Sequence, residues 1–150
     1  MIPKFQMPVR TRNMDDSVGQ AVVDMRDGSF SQLPIMANGA VAAVLTAETV
    51  ARWLASEVEN EFVSPWDTKI ESVLGHTEDL DHYCFLRRDS NLLDALSKFE
   101  AYAALGKKLD AILITDKGKT NQGLLGILTL YDLPAVLAEL GLKKLSATRR

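Results

Sequence analysis

One pattern of polar starts and apolar positions occurs twice in this chain, and few folds accommodate such a duplication. Asp15-Asp16-Ser17-Val18-Gly19-Gln20-Ala21-Val22 aligns with Asp89-Ser90-Asn91-Leu92-Leu93-Asp94-Ala95-Leu96, 74 residues further on. Phe30-Ser31-Gln32-Leu33-Pro34-Ile35-Met36 aligns with Leu109-Asp110-Ala111-Ile112-Leu113-Ile114-Thr115 at an offset of 79. Ala43-Val44-Leu45-Thr46-Ala47-Glu48-Thr49 aligns with Gly126-Ile127-Leu128-Thr129-Leu130-Tyr131-Asp132 at an offset of 83. An offset that grows in two steps places insertions in two loops of the second copy, around Leu105–Lys108 and over Lys117–Gly123. Extra residues cost little in loops.

Each copy reads as strand, helix, strand, strand, helix. In the first, Val18, Ala21, Val22 and Met25 recur at helical spacing after a polar start. Leu33–Met36 and Ala40–Leu45 flank Asn38-Gly39, a two-residue hairpin turn. Thr46 then opens a helix carried by Val50, Trp53, Leu54 and Val58. In the second, Tyr83–Arg87 is a strand, Leu92, Leu96, Phe99 and Ala103 mark a helix, and Ala111–Ile114 pairs with Leu124–Leu128 around Lys117-Gly118. Leu133, Val136, Leu137 and Leu140 mark the last helix. The boundaries that follow are 7–60 for the first repeat, 61–81 for a connector, 82–141 for the second repeat and 142–150 for a basic tail. A unit of this size buries only a thin core. The expected fold class is therefore α+β, with two βαββα repeats packed through their sheets in pseudo-twofold symmetry.

Composition narrows the function classes. The chain is 47% hydrophobic and 25% charged, as ordinary globular proteins are. Its 17 Lys and Arg against 20 Asp and Glu give a net charge of −3, which argues against nucleic acid or an anionic membrane as partner. A single cysteine, Cys84, excludes an internal disulfide framework and a cysteine-based zinc site. The most apolar stretch, Leu124–Leu142, contains Thr129, Asp132, Pro134 and Glu139, which does not suit a membrane span. No secretory leader is visible, so the cytoplasm is the expected compartment.

The repeat resembles the CBS domain, the cystathionine β-synthase module that occurs as tandem pairs called Bateman modules. Phe30-Ser31-Gln32-Leu33-Pro34-Ile35 is similar to the family's hydrophobic-x-x-hydrophobic-Pro-Val strand. Gly126-Ile127-Leu128-Thr129-Leu130-Tyr131-Asp132 is similar to its Gly-hydrophobic-hydrophobic-Thr-x-x-Asp signature. The similarity runs from about Val9 to Leu140. It implies a regulatory protein, not an enzyme, and no attached effector is expected here. Such a pair needs no cofactor. It binds AMP, ADP, ATP or another adenosyl ligand in the cleft between the repeats, signals to a separate effector protein, and forms a homodimer through the final helices of the repeats, marked here by Trp53 and Leu137. The alternative is a ligand-free protein-protein interaction module with a degenerate cleft.

The candidate site follows from Thr129 and Asp132. A helix starting after Leu128 presents free N–H groups and a positive dipole end to a phosphate. Thr129 adds a hydroxyl, and Asp132 can accept from two ribose hydroxyls. Thr-x-x-Asp is equally a helix-capping pattern that needs no ligand, and Pro134 fits the first turn of a helix that starts as late as Asp132. The resemblance implies a nucleotide site that adds Tyr131, Leu86 and Arg87, together with Asp110, Ala111 and Ile112. A weaker second site would comprise Arg12, Gln32, Leu33, Thr46 and Thr49. There Ala43 replaces the signature glycine and Thr49 the aspartate, so the ribose acceptor is missing. Arg10 and Arg88 are further phosphate candidates. His76 and His82 lack metal-ligand spacing and read as surface or capping residues, and no metal is expected. Cys84 reads as buried and inert, and Trp53 as core or interface. No nucleophile–base arrangement can be argued from spacing.

Overall fold

The computed structural model of the chain describes residues 9–60, 62–132, 134 and 138. Two compact units are present, one of Arg10–Leu80 and one that groups Val9 with the residues from Asp81 on. The first contains β1 (Arg12–Asn13), α1 (Val18–Gly28), β2 (Gln32–Ala37), β3 (Ala40–Thr46), α2 (Ala47–Glu57) and α3 (Ile70–Leu74). The second contains β4 (Tyr83–Arg87), α4 (Leu92–Ala104), β5 (Ala111–Thr115), β6 (Gly126–Leu128) and a short 3-10 turn, Leu130–Asp132. The last helix expected over Leu133, Val136, Leu137 and Leu140 lies outside the described residues.

Each unit has a three-stranded mixed sheet, ordered β1-β2-β3 and β4-β5-β6. The first pair of strands is parallel and the second antiparallel in both. The duplication extends to the register. Arg12 faces Ile35 as Leu86 faces Ile114; Leu33 faces Leu45 as Ile112 faces Leu128; Pro34 faces Val44 as Leu113 faces Ile127. Each of these correspondences follows from the sequence offsets of 74, 79 and 83.

The local signals explain the elements. Ser17 and Gln20 form a capping box on α1, with the Gln20 N–H donating to Ser17 Oγ at 3.1 Å and the Ser17 N–H to Gln20 Oε1 at 3.0 Å. Asn91 and Asp94 do the same on α4, with both bonds at 2.9 Å. Asn38 and Gly39, at φ 53° and 79°, make the β2–β3 turn in the left-handed region that such hairpins require. Val18, Ala21 and Met25 of α1 pack on Leu33, Ile35 and Leu45 in the first core. Leu92, Ala95 and Phe99 of α4 pack on Leu86, Ile112 and Leu128 in the second.

Part of the segment read as a connector is core. Ile70 and Val73 are fully buried in the first unit. The Val18 and Gly19 N–H groups at the start of α1 donate to the carbonyls of Thr68 and Pro65 at 2.8 and 2.9 Å, so two of that helix's orphan donors are satisfied by this segment. A Cβ at position 19 would stand 2.7 Å from the Trp66 ring, so a larger residue there would have to displace that ring. A five-residue helix such as α3 is too short to show periodicity in a sequence. Trp53, read as core or interface, belongs to its own unit's core at 5% exposure. Leu54 and Val58 are the large apolar residues that this stretch leaves exposed.

Gly118 holds the β5–β6 connection against β4. Its φ is +73°, and a Cβ there would lie 3.2 Å from the Arg87 backbone nitrogen. Gly118→Ala is therefore expected to destabilise the protein by about 1–2 kcal/mol. The same change at Gly123, whose surroundings are open within 4 Å, should stay within about 0.5 kcal/mol. Urea unfolding of the two variants checks the difference.

Candidate functional site

Thr129 follows β6 directly. Since Leu128 faces Ile112 and Tyr83 faces Ala111, it stands at the end of the sheet where β4 and β5 begin. The 3-10 turn closes on itself there. Asp132 Oδ2 accepts from the Thr129 N–H at 2.8 Å and from its hydroxyl at 3.3 Å. Thr129 Oγ1 accepts in turn from the Tyr131 N–H at 3.2 Å. This is the capping arrangement, and it engages one carboxylate oxygen only. Asp132 Oδ1 has no hydrogen bond among the described residues. Tyr131, 90% exposed, presents its ring beside this turn. A hydroxyl, a carboxylate oxygen and an exposed aromatic face together suit a sugar with an attached planar group.

Asp110 stands at the same sheet end but is already engaged. Its carboxylate pairs with His82 Nδ1 at 2.8 Å, and its N–H donates to the His82 carbonyl at 2.7 Å. The side chains are 8% and 11% exposed for His82 and Asp110. His82 is thus a buried partner in a pair, not the surface or capping residue expected. The two are 28 positions apart, and parallel pairing of β4 with β5 joins them; no local spacing announces such a contact. Ala111 and Ile112 are fully buried in the middle strand and present no exposed side-chain surface to a base.

Leu86 and Arg87 are not brought to this end. They face Ile114 and Thr115, and at about 3.3 Å per residue Leu86 lies roughly 10 Å along the sheet from Ala111. The reason is strand direction. Parallel β4 and β5 end together, whereas antiparallel β6 ends where they begin, so the residues that stand near Thr129 are those that open β4. Leu86 belongs to the core. Arg87 is turned onto Asp89 at 3.1 Å, and Arg88 lies 3.6 Å from Asp116.

The corresponding turn of the first repeat is closed. Thr46 caps α2, its Oγ1 accepting from the Thr49 N–H at 3.1 Å, and the two hydroxyls bond each other at 3.1 Å. Both residues are buried. Gln32 faces Thr46 across the sheet and Leu33 is fully buried beside it. Arg12 is elsewhere, facing Ile35. Its Nε lies 2.5 Å from Asp24 Oδ2 and its Nη2 3.0 Å from Oδ1, while Arg10 Nη1 reaches Oδ1 at 2.8 Å. The Arg12 guanidinium holds the buried Asp24 carboxyl below its ordinary range, and Asp24 holds Arg12 above its own. Both arginines are thereby committed to a structural carboxylate.

Burial pushes the Cys84 thiol up to about 11, which keeps it protonated and unreactive at neutral pH. Among the described residues no group of three or more His, Cys, Asp or Glu side chains converges as a metal site, and no helix is long and apolar enough to cross a membrane.

No protein-family model and no curated protein matches the sequence. Solved structures do. The CBS-domain pair of protein MJ0100, in complex with 5-methylthioadenosine and S-adenosyl-L-methionine, is similar at TM-score 0.65 and 16% identity, over 92% of this chain and 94% of that one. A CBS domain-containing protein from Kribbella flavida DSM 17836 is similar at TM-score 0.63 and 14% identity, over 91% and 97%. A CBS domain protein from Streptococcus pneumoniae TIGR4 is similar at TM-score 0.60 and 12% identity, over 89% and 81%. With two registered copies of one mixed sheet, each followed by a Thr-opened turn, and with these likenesses across most of its length, the chain has the α+β fold of a tandem CBS-domain pair.

Proposed function

We propose that this CBS pair is a non-catalytic sensor that binds an adenosyl nucleotide at the Thr129–Asp132 turn of its second repeat. The observation that carries this reading is the contrast between the two turns. Thr46 and Thr49 are buried and bonded to each other, whereas Asp132 keeps a carboxylate oxygen without a bond among the described residues, beside the exposed Tyr131. The bound adenosyl ligands of a protein with the same fold support the ligand class. Asp132 would accept from the ribose through its open oxygen, the Thr129 hydroxyl would turn from Asp132 toward phosphate, and Tyr131 would stack on the base. A ligand that prefers one arrangement of the chain shifts its population, and a cytoplasmic effector protein or the second copy in a homodimer would read that shift.

A thermal-shift panel with AMP, ADP, ATP and S-adenosylmethionine tests the reading. Ligand at about 100 times its dissociation constant should stabilise the fold by roughly 2.7 kcal/mol. No shift with any of the four would favour a ligand-free interaction module, in which the Thr129–Asp132 bonds serve only as a cap.

A further inference from the structure

The first unit holds a cavity of about 220 Å³ that the nucleotide reading does not use. Its walls include Trp53 and Glu57 of α2, Phe62 and Thr68 of the following segment, Ser72 of α3 and His76. Thr46 is the N-cap of α2, and Trp53 and Glu57 lie in its second half, so at 1.5 Å per residue the cavity lies roughly 10–16 Å along the helix from the closed turn of that repeat.

Its chemistry is one-sided. Among the described residues one carboxylate lines it and no lysine or arginine does. The Asn60 amide donates to Glu57 Oε2, while Oε1, the Ser72 hydroxyl and the His76 ring have no side-chain hydrogen bond among the described residues. Aromatic surface stands beside them. Trp53 forms part of the wall and the core behind it, and Phe62 lines the cavity while remaining 92% exposed. A carboxylate with an open oxygen, next to aromatic rings and with no competing cation, is an arrangement that recognises an ammonium group. The volume is below the roughly 300–1,000 Å³ of sites for drug-sized molecules, which restricts the occupant to a compact one.

We propose that this cavity is a second ligand site, specific for a small organic amine that carries a flat apolar body. Its ammonium would bond Glu57 Oε1, its body would lie against Trp53 and Phe62, and Ser72 and His76 would meet a remaining polar group. The proposal is independent of the nucleotide reading, since none of these residues belongs to the Thr129–Asp132 turn.

Phenethylamine and 3-phenylpropionate, of similar body and opposite charge, are the probes for the test. In amide-resolved NMR titrations of the full chain, phenethylamine should move the Trp53, Ser72 and His76 signals saturably, and 3-phenylpropionate should not. Glu57→Gln, which keeps an acceptor for Asn60, should weaken phenethylamine roughly fivefold or more, while Asp132→Ala should leave it unchanged. Unmoved signals at millimolar phenethylamine would overturn the site. Equal binding of the two probes, or an unaffected Glu57→Gln variant, would overturn the assignment of its ligand class.

Discussion

Asp24→Asn is expected to lower the unfolding free energy by about 3 kcal/mol, toward the lower end of what breaking a buried ion pair costs. The carboxylate is 4% exposed and receives Arg12 through two bonds and Arg10 through a third. Arg10, 55% exposed, rehydrates when its partner is lost, which keeps the loss from being larger. Arg12 is 26% exposed and cannot rehydrate as freely. The pair also ties β1 to α1, so its loss is felt by the whole first sheet. Urea unfolding at pH 7 measures the effect, and thermal unfolding should show a drop of roughly 10 °C.

The pH dependence carries the same signature. Pairing with Arg12 lowers the Asp24 pKa in the folded state below its ordinary 3.8. Between those two values the unfolded chain binds the extra proton and the folded one does not. The stability that Asp24 contributes is therefore fully present above about pH 4 and is lost as the pH falls through the folded value. The gap between the parent protein and Asp24→Asn should be constant from pH 5 to 8 and should close in stronger acid. A gap under 1 kcal/mol at pH 7, or one that persists undiminished at pH 2, would show that the ion pair does not stabilise the fold.

Asp132 allows its capping and ligand roles to be separated. In Asp132→Asn the amide oxygen still accepts from the Thr129 N–H, so stability should change by less than about 0.5 kcal/mol. The charge and the second acceptor oxygen are gone, and AMP affinity should fall more than tenfold, since hydrogen bonds to a charged group contribute about 1.5–3 kcal/mol each. Asp132→Ala should lose the affinity and in addition about 1 kcal/mol of stability through the missing cap. Isothermal titration with AMP, alongside urea unfolding, reads both quantities. An Asp132→Asn variant that binds AMP as tightly as the parent would remove Asp132 from the ribose and leave it a capping residue.

Much of the architecture was legible because its causes are local. The capping boxes at Ser17 and Asn91 need only side chains three positions apart, and the Asn38-Gly39 turn needs only two residues that tolerate positive φ. Strand register followed from the offsets, because both copies bury the same alternating set and a slip by one residue would turn that set outward. The candidate site was legible in part. Thr129 and Asp132 meet because they are three apart, and the first-repeat turn bonds hydroxyl to hydroxyl because threonine stands at position 49. The resemblance grouped Leu86 and Arg87 with Thr129, and the strand directions put them at the other end of the sheet. The His82–Asp110 pair and the burial of Ile70 and Val73 left no trace in spacing.

The sequence by itself thus determined the duplication, the strands and helices of each repeat other than α3, the hairpin and the antiparallel pairing of strands. These depend on periodicity and on neighbours a few positions apart. Only the tertiary structure decided which strand ends lie together, that Arg10 and Arg12 serve a buried carboxylate, that Trp53 turns inward, and that a cavity opens beside Glu57. Each of those outcomes depends on which distant segments share the space around a side chain, a property of the packed chain that no local pattern encodes.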